Sequence, residues 1–234
     1  MYLRGVRFVQ LPTTLLAAID SSVGGKTAVN LDAGKNLAGA FHSPSLVLCD
    51  MDTFATLPAA VFADGMAEAV KYGMIKDRAL FELLERGEFE RHAQEVVTTC
   101  VRIKAEIVGR DEFDNGERQL LNFGHTPAHA IEKLSAFDIS HGHAVAMGMR
   151  LMTRAAESAG MLTEPASARL ENALVINNLP TSCPYGAAEL AQAAAGDKKR
   201  SGDSIRVVVP LSIGSSALHT IPVEELRAFF ESGL

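Results

Sequence analysis

From Leu57 onward the chain is written mostly in helical periods, and that run of amphipathic segments constrains its fold more than any other feature. "LPAAVFADGMAEAVKYGMI" opens on Pro58, which suits a first helical position because the N–H it lacks would have no partner there. "FERHAQEVVTTCVRIKAEIVGRDEF" sets Val96, Val97, Cys100, Val101, Ile103, Ile107 and Val108 at the spacing of one helical stripe. "HAVAMGMRLMTRAAESAG", "ASARLENALVINNL", "AAELAQAAAG" and "VEELRAFFES" continue the pattern, interrupted by the strand-like "DSIRVVVPLSIG", where Pro210 argues for an edge or a bend. Upstream, "VRFVQLP" and "SLVLCDM" read as strands flanking a small-residue segment, "TTLLAAIDSSVGGKTAVNLDAGKN", expected to form functional loops. The expected fold class is therefore an α/β portion over residues 1–56 followed by a mainly α-helical domain over 57–234.

A chain of 234 residues can bury a working core without covalent staples. Its net charge of -6 argues against broad nucleic-acid binding, which needs a basic face to displace counterions from phosphates. Cys49, Cys100 and Cys183 are odd in number and never spaced as C-x-x-C, which suits free thiols in a reducing compartment. No stretch approaches the roughly 20 apolar residues of a membrane span, and "MYLRGVRFVQLPTT" lacks the apolar region of a signal peptide. The expectation is a cytoplasmic protein with neither membrane nor nucleic acid as partner.

"SSVGGKTAV" ends like a phosphate loop at Gly25-Lys26-Thr27, but the first glycine of that motif would fall on Asp20, a poor substitute in an anion cradle. Lys26, Lys35 and Asn36 still offer donors to an anionic or polyhydroxylated ligand. Lys104 lies inside an apolar stripe, so either its stem snorkels outward or its ammonium points into a polar cleft. Four of the seven histidines fall between His125 and His143. His125 and His129 are one turn apart, yet Thr126-Pro127 reads as a cap and first helical position, which puts His125 in the turn before the helix and frees the two rings from a shared target. His141 and His143 flank Gly142 at the mouth of the next helix. Glu68, among small and apolar neighbours, needs a partner, and both a salt bridge to Lys71 and membership of a two-histidine, one-carboxylate metal site would serve. Arg118 and Asn122 precede His125, and Lys198, Lys199 and Arg200 follow later. Such cationic groups near the histidines suit a small phosphorylated or carboxylated substrate.

These segments together resemble the 3-dehydroquinate synthase family of sugar-phosphate cyclases. "RGVRFVQLPTTLLAAIDSSVGGKTAVN", "GKNLAGAF", "GMAEAVKYG", "RQLLNFGHT" and "HGHAVAMGM" stand in the family's order along nearly the whole chain. The resemblance implies zinc held by Glu68, His125 and His141, with cobalt an acceptable substitute for the same ligands. It implies a substrate site lined by Asp20, Lys26, Asn36, Lys71, Lys104, Arg118, Asn122, His129 and one of Lys198 and Lys199. It implies NAD contacts from Thr13, Thr14, Lys26, Lys35 and the segment Thr53, Phe54, Ala55 and Thr56. In domain terms, residues 1–56 would be part of an NAD-binding α/β domain and 57–234 a metal- and substrate-binding one. The implied enzyme is a lyase of the shikimate pathway of aromatic amino acid biosynthesis. It converts 3-deoxy-D-arabino-heptulosonate 7-phosphate to 3-dehydroquinate and phosphate with NAD recycled in each turnover, and the family's usual assembly is a homodimer.

The sequence departs from the family's pattern in three places. Pro127 and Ala128 replace an aromatic residue and a glycine, and His143 stands where glutamate is usual. The chain also begins downstream of the family's glycine-rich phosphate-binding loop, so the expectation is zinc retention with weak NAD binding. The rival readings are a sister cyclase such as 2-deoxy-scyllo-inosose synthase, and a non-catalytic metal-binding fragment.

Overall fold

A computed structural model describes residues 5–31, 34–196, 200–201 and 203–234. Strands β1 (Val9–Gln10) and β4 (Leu46–Val47) pair in parallel, with Val9 opposite Leu46. Between them lie a single π-helical turn, Ala17–Ser21, and an antiparallel ribbon of β2 (Lys26–Leu31) and β3 (Gly34–Phe41). The segment expected as loops is thus largely an extended hairpin. The small residues that suggested irregular backbone instead let the two strands approach: a Cβ at Gly39 would collide with the Thr27 carbonyl. Lys26 begins β2, so Gly25-Lys26-Thr27 leads into a strand rather than into the helix a phosphate loop requires.

A 3-10 turn, Met51–Thr56, capped by Asp50, delivers the chain to α1 (Ala59–Lys76). Pro58 is the residue before that helix rather than its first, a shift of one position that leaves its ring in the same tolerated place. From Gly65 to Ile75 every residue of α1 is buried, so α1 is a central helix surrounded by others rather than an amphipathic one on the surface. Around it stand α2 (Arg78–Glu85), α3 (Phe89–Arg110), α4 (His125–Leu134), α5 (His141–Ser158), α6 (Ser167–Ile176), α7 (Ala187–Ala195) and α8 (Leu226–Gly233). Helix α5 packs against α1, α4, α6 and α8, and Val145, Met149, Leu151 and Met152 on it are buried in the core.

Strands β5 (Arg200–Ser201), β6 (Ser204–Ser212) and β7 (Ser215–Pro222) form a second small antiparallel sheet. The register slips at Pro210, where among the described residues β6 pairs with β7 alone, as a residue without an N–H demands. Strand β7 has no counterpart in the sequence reading, because Ser215, Ser216 and His219 dilute its apolar alternation. Among the described residues no helix is long and apolar enough to cross a membrane.

Candidate metal centre

Three helices converge on one buried point. Helix α1 brings Glu68 and, one turn on, Lys71; both are almost completely buried, and they form an ion pair through Glu68 Oε2. Helix α4 starts at His125, and α5 starts at His141. One ligand atom from each of Glu68, His125 and His141 lies within 4.8 Å of the others. Glu68 Oε1 sits 3.7 Å from His125 Nε2 and 3.5 Å from His141 Nε2, and it accepts no hydrogen bond although it is sealed from solvent.

The outer nitrogens of both rings are occupied. His125 Nδ1 lies 3.1 Å from the Phe123 carbonyl and donates to it, while His141 Nδ1 faces Glu132 Oε1 at 3.5 Å. In a neutral ring a proton held on Nδ1 leaves the Nε2 lone pair facing inward, the arrangement that metal-ligating histidines use. Among the described residues Oε1 has no hydrogen-bond partner although it is buried, and with the Nε2 atoms of two imidazoles beside it the donor set fits a divalent metal with nitrogen and oxygen preferences such as zinc. Burial alone would raise the Glu68 carboxyl, but Lys71 and the histidines hold it at about 2. Burial and the neighbouring Lys71 push His125 well below its ordinary value, keeping it neutral. Burial also disfavours charge on His141, yet Glu132 and Glu68 override it and raise that ring to about 10, so metal uptake there displaces a proton.

The local backbone differs from the sequence expectation at Pro127. The residue before α4 is Gly124, in the left-handed region at φ 77°, and Pro127 takes the third helical position. That is still inside the first turn, where its missing N–H breaks no helical bond. His125 is therefore the first residue of the helix, not part of the turn before it, and its ring meets that of His129 edge to face at 5.7 Å. Gly124 also admits a close approach: a Cβ there would lie 2.7 Å from Met149 Cγ and 2.8 Å from Met149 N.

Next to the candidate metal ligands is a second polar cluster. The π-helical turn presents Asp20, whose Oδ1 accepts from Tyr72 Oη at 2.6 Å and from Lys104 Nζ at 2.8 Å; Lys104 also donates to the Asp20 carbonyl at 2.6 Å. Lys104 thus points into a polar cleft instead of snorkelling. Burial disfavours the Asp20 carboxylate, but Lys104, Lys71 and Tyr72 outweigh it and keep the group far below the usual carboxylate range. Burial raises Tyr72 well above its ordinary value, so the phenol stays protonated and donates. A π turn of this kind is a common device at functional sites.

The other expected residues are distributed as follows. Arg118 is buried, and its guanidinium donates to the carbonyls of Glu112 and Gly24, tying the loop before α4 to the base of the hairpin. Asn122 donates to the Gln119 carbonyl at 3.1 Å. Lys26 pairs with Asp114. Thr14 Oγ1 accepts from Ala17 N at 3.1 Å and Thr13 is exposed beside it. In the 3-10 turn Thr53 donates to the Asp50 carbonyl, Thr56 to that of Thr53, and Phe54 turns its ring into the core. Lys35 and Asn36 lie on β3 with side chains outside those described, and Lys198 and Lys199 lie outside the described residues.

Sequence reasoning missed Tyr72, Asp114 and Glu132. For Glu132 a signal existed: residues 125, 129 and 132 are spaced four and three apart, which places all of them on one face of α4.

The family model "3-dehydroquinate synthase N-terminal" matches residues 1–64, and "3-dehydroquinate synthase C-terminal" matches residues 65–200. The 3-dehydroquinate synthase of Clostridium perfringens is 42% identical over 236 residues, covering 98% of this chain and 66% of that protein. The 3-dehydroquinate synthase of a Synechococcus species is 43% identical over 243 residues, covering 99% and 66% respectively. The chain thus spans about 66% of the length of the curated relatives it matches. Among solved structures, 2-epi-5-epi-valiolone synthase from Streptomyces hygroscopicus subsp. jinggangensis 5008, with NAD+ and Zn2+ bound, superposes with a TM-score of 0.88 at 29% identity, covering 98% of this chain and 66% of that one. A 2-deoxy-scyllo-inosose synthase shares the fold, with a TM-score of 0.83 at 23% identity over 100% of this chain and 69% of its own. With both family models tiling it to residue 200 and relatives above 40% identity along nearly its whole length, the chain belongs to the 3-dehydroquinate synthase family.

Proposed function

We propose that this chain carries the metal and substrate chemistry of a 3-dehydroquinate synthase, acting on 3-deoxy-D-arabino-heptulosonate 7-phosphate. The observation that carries the proposal is the sealed Glu68 oxygen facing the inward nitrogens of His125 and His141. Glu68, His125 and His141 would hold zinc or cobalt, and Thr13, Thr14, Lys26, Lys35 and residues 53–56 would contribute to an NAD site. When bound, the metal polarises the substrate hydroxyl and NAD takes up and returns the hydride of that carbon.

The chain's own residues supply the rest. Lys71 is paired with Glu68 and Lys104 with Asp20, both ammonium groups buried, so a substrate oxygen entering beside them would meet preorganised positive charge. Arg118, Asn122, Asn36 and one of Lys198 and Lys199 would position the substrate's phosphate and carboxylate oxygens by charge-assisted hydrogen bonds. His129, whose ring lies edge to face with that of His125, would pass a proton between substrate and solvent. The division at residue 56, a homodimeric assembly and a cytoplasmic location belong to the same proposal.

The test is phosphate release from the heptulosonate by the chain, with any adjoining part of its reading frame included, set against glucose 6-phosphate and sedoheptulose 7-phosphate. Release from the heptulosonate alone supports the reading. Preference for either sugar phosphate would transfer the chain to a sister cyclase, and silence on all three with zinc bound would leave a metal-binding protein without this activity.

A further inference from the structure

His143 is the one histidine of the cluster to which the family resemblance gives no role, and the structure supplies one through Asp64. Asp64 lies on α1, one turn before Glu68, and faces the first turn of α5. Its Oδ1 accepts three contacts from that turn: Ser140 Oγ at 2.6 Å, His143 Nδ1 at 2.8 Å and the His143 backbone N–H at 3.1 Å. His143 is the third residue of α5, so its N–H is one of the orphan donors that a helix-capping side chain ordinarily satisfies. Ser140 precedes the helix and could cap it, but its side chain makes no capping bond and donates to Asp64 instead. Helix α5 is therefore capped from another helix. Gly142, between the two histidines, lies so close to α1 that a Cβ there would collide with the Asp64 backbone.

We propose that Asp64, with His143 and Ser140 as its partners, is a positioning residue that locks the start of α5 onto α1 and so sets the distance between His141 and Glu68. The two ligands sit on separate helices, each adjacent to the lock: Glu68 four residues after Asp64, His141 two residues before His143. A single carboxylate oxygen thus joins the elements that must stay in register for both ligands to reach one ion. Outer-sphere contacts that orient ligands typically change metal affinity by about 10- to 100-fold when removed.

The proposal rests on the metal-centre reading, and its test separates the two. Zinc affinity of the whole chain is measured by competition with a chromogenic chelator for the parent, Asp64→Asn, Asp64→Ala and His143→Ala, alongside the melting temperature of each metal-free protein. The expected result is zinc binding weakened by about 10- to 100-fold in Asp64→Ala, with Asp64→Asn intermediate because its carbonyl oxygen still accepts from the α5 turn. Should Asp64→Ala fail to fold, Asp64→Asn and His143→Ala decide by the same criterion. A lowered melting temperature with zinc affinity within about twofold of the parent would mean a merely structural contact and overturn the positioning role while leaving the centre intact. A parent chain that takes up no zinc would remove the centre and the role together.

Discussion

Replacing Lys71 by methionine keeps the volume of the side chain and removes its charge from beside Glu68. Glu68 is fully buried, and burial by itself drives its carboxyl upward; Lys71 leads the forces that hold it down at about 2 against an ordinary 4.5. If the carboxyl returns only to its ordinary value, the stabilisation lost at neutral pH is about 3 kcal/mol, within the range of about 3–5 kcal/mol for breaking a buried pair. Because the folded-state value is the lower one, this contribution is complete above the ordinary carboxylate range and is lost as pH falls toward 2, so the measurement belongs at pH 7. Urea denaturation with a chelator present should show a loss of that size in Lys71→Met. Added zinc should then stabilise Lys71→Met more than the parent, because the cation supplies to Glu68 the positive charge that Lys71 no longer gives. A loss below about 1 kcal/mol, or an equal zinc increment in both proteins, would refute the view that Glu68 carries a buried charge in need of compensation.

Gly124→Ala would force a side chain into the left-handed region and against Met149, so thermal denaturation should show a loss of at least about 1–3 kcal/mol, with His125 displaced and zinc binding weakened. Glu117, held at about 2 by Arg110 and Lys76, contributes stability that is present above the ordinary carboxylate range and fades toward pH 2. Glu117→Gln should therefore flatten the acid limb of the pH–stability curve by no more than about 1 kcal/mol, the worth of a partly exposed pair. Cys100 is fully buried with its thiol pushed up, whereas Cys49 and Cys183 are partly exposed; a thiol reagent applied to the native protein should leave Cys100 unmodified until the chain is denatured.

Helix α1 showed itself by the helix-starting Pro58 and a long run of small and apolar residues. Helices α3 and α5 were legible because apolar residues recur at helical spacing over 22 and 18 residues, long enough for the period to stand out. The hairpin of β2 and β3 was not, because glycine and alanine carry no alternation for a strand to show. At Pro127 a sound rule was applied to the wrong residue: the positive φ of Gly124 had already turned the chain, which left proline free to occupy a later place in the first turn. The candidate metal ligands lie on three helices that are distant in sequence, so residue spacing alone left them among several candidates, and the family resemblance chose Glu68, His125 and His141. The Asp64 contact was beyond sequence reasoning altogether, since nothing in "FADGM" or "SHGHAV" signals that the two segments touch.

We expect one metal ion among Glu68, His125 and His141. X-ray absorption on the zinc-loaded chain, with parallel zinc titrations of His141→Ala and His143→Ala, tests it most directly. The expected result is one zinc per chain with two imidazole nitrogens and a carboxylate oxygen at about 2.0–2.2 Å, abolished binding in His141→Ala, and binding that is retained, though weakened, in His143→Ala. Binding lost with His143 and kept without His141 would contradict it.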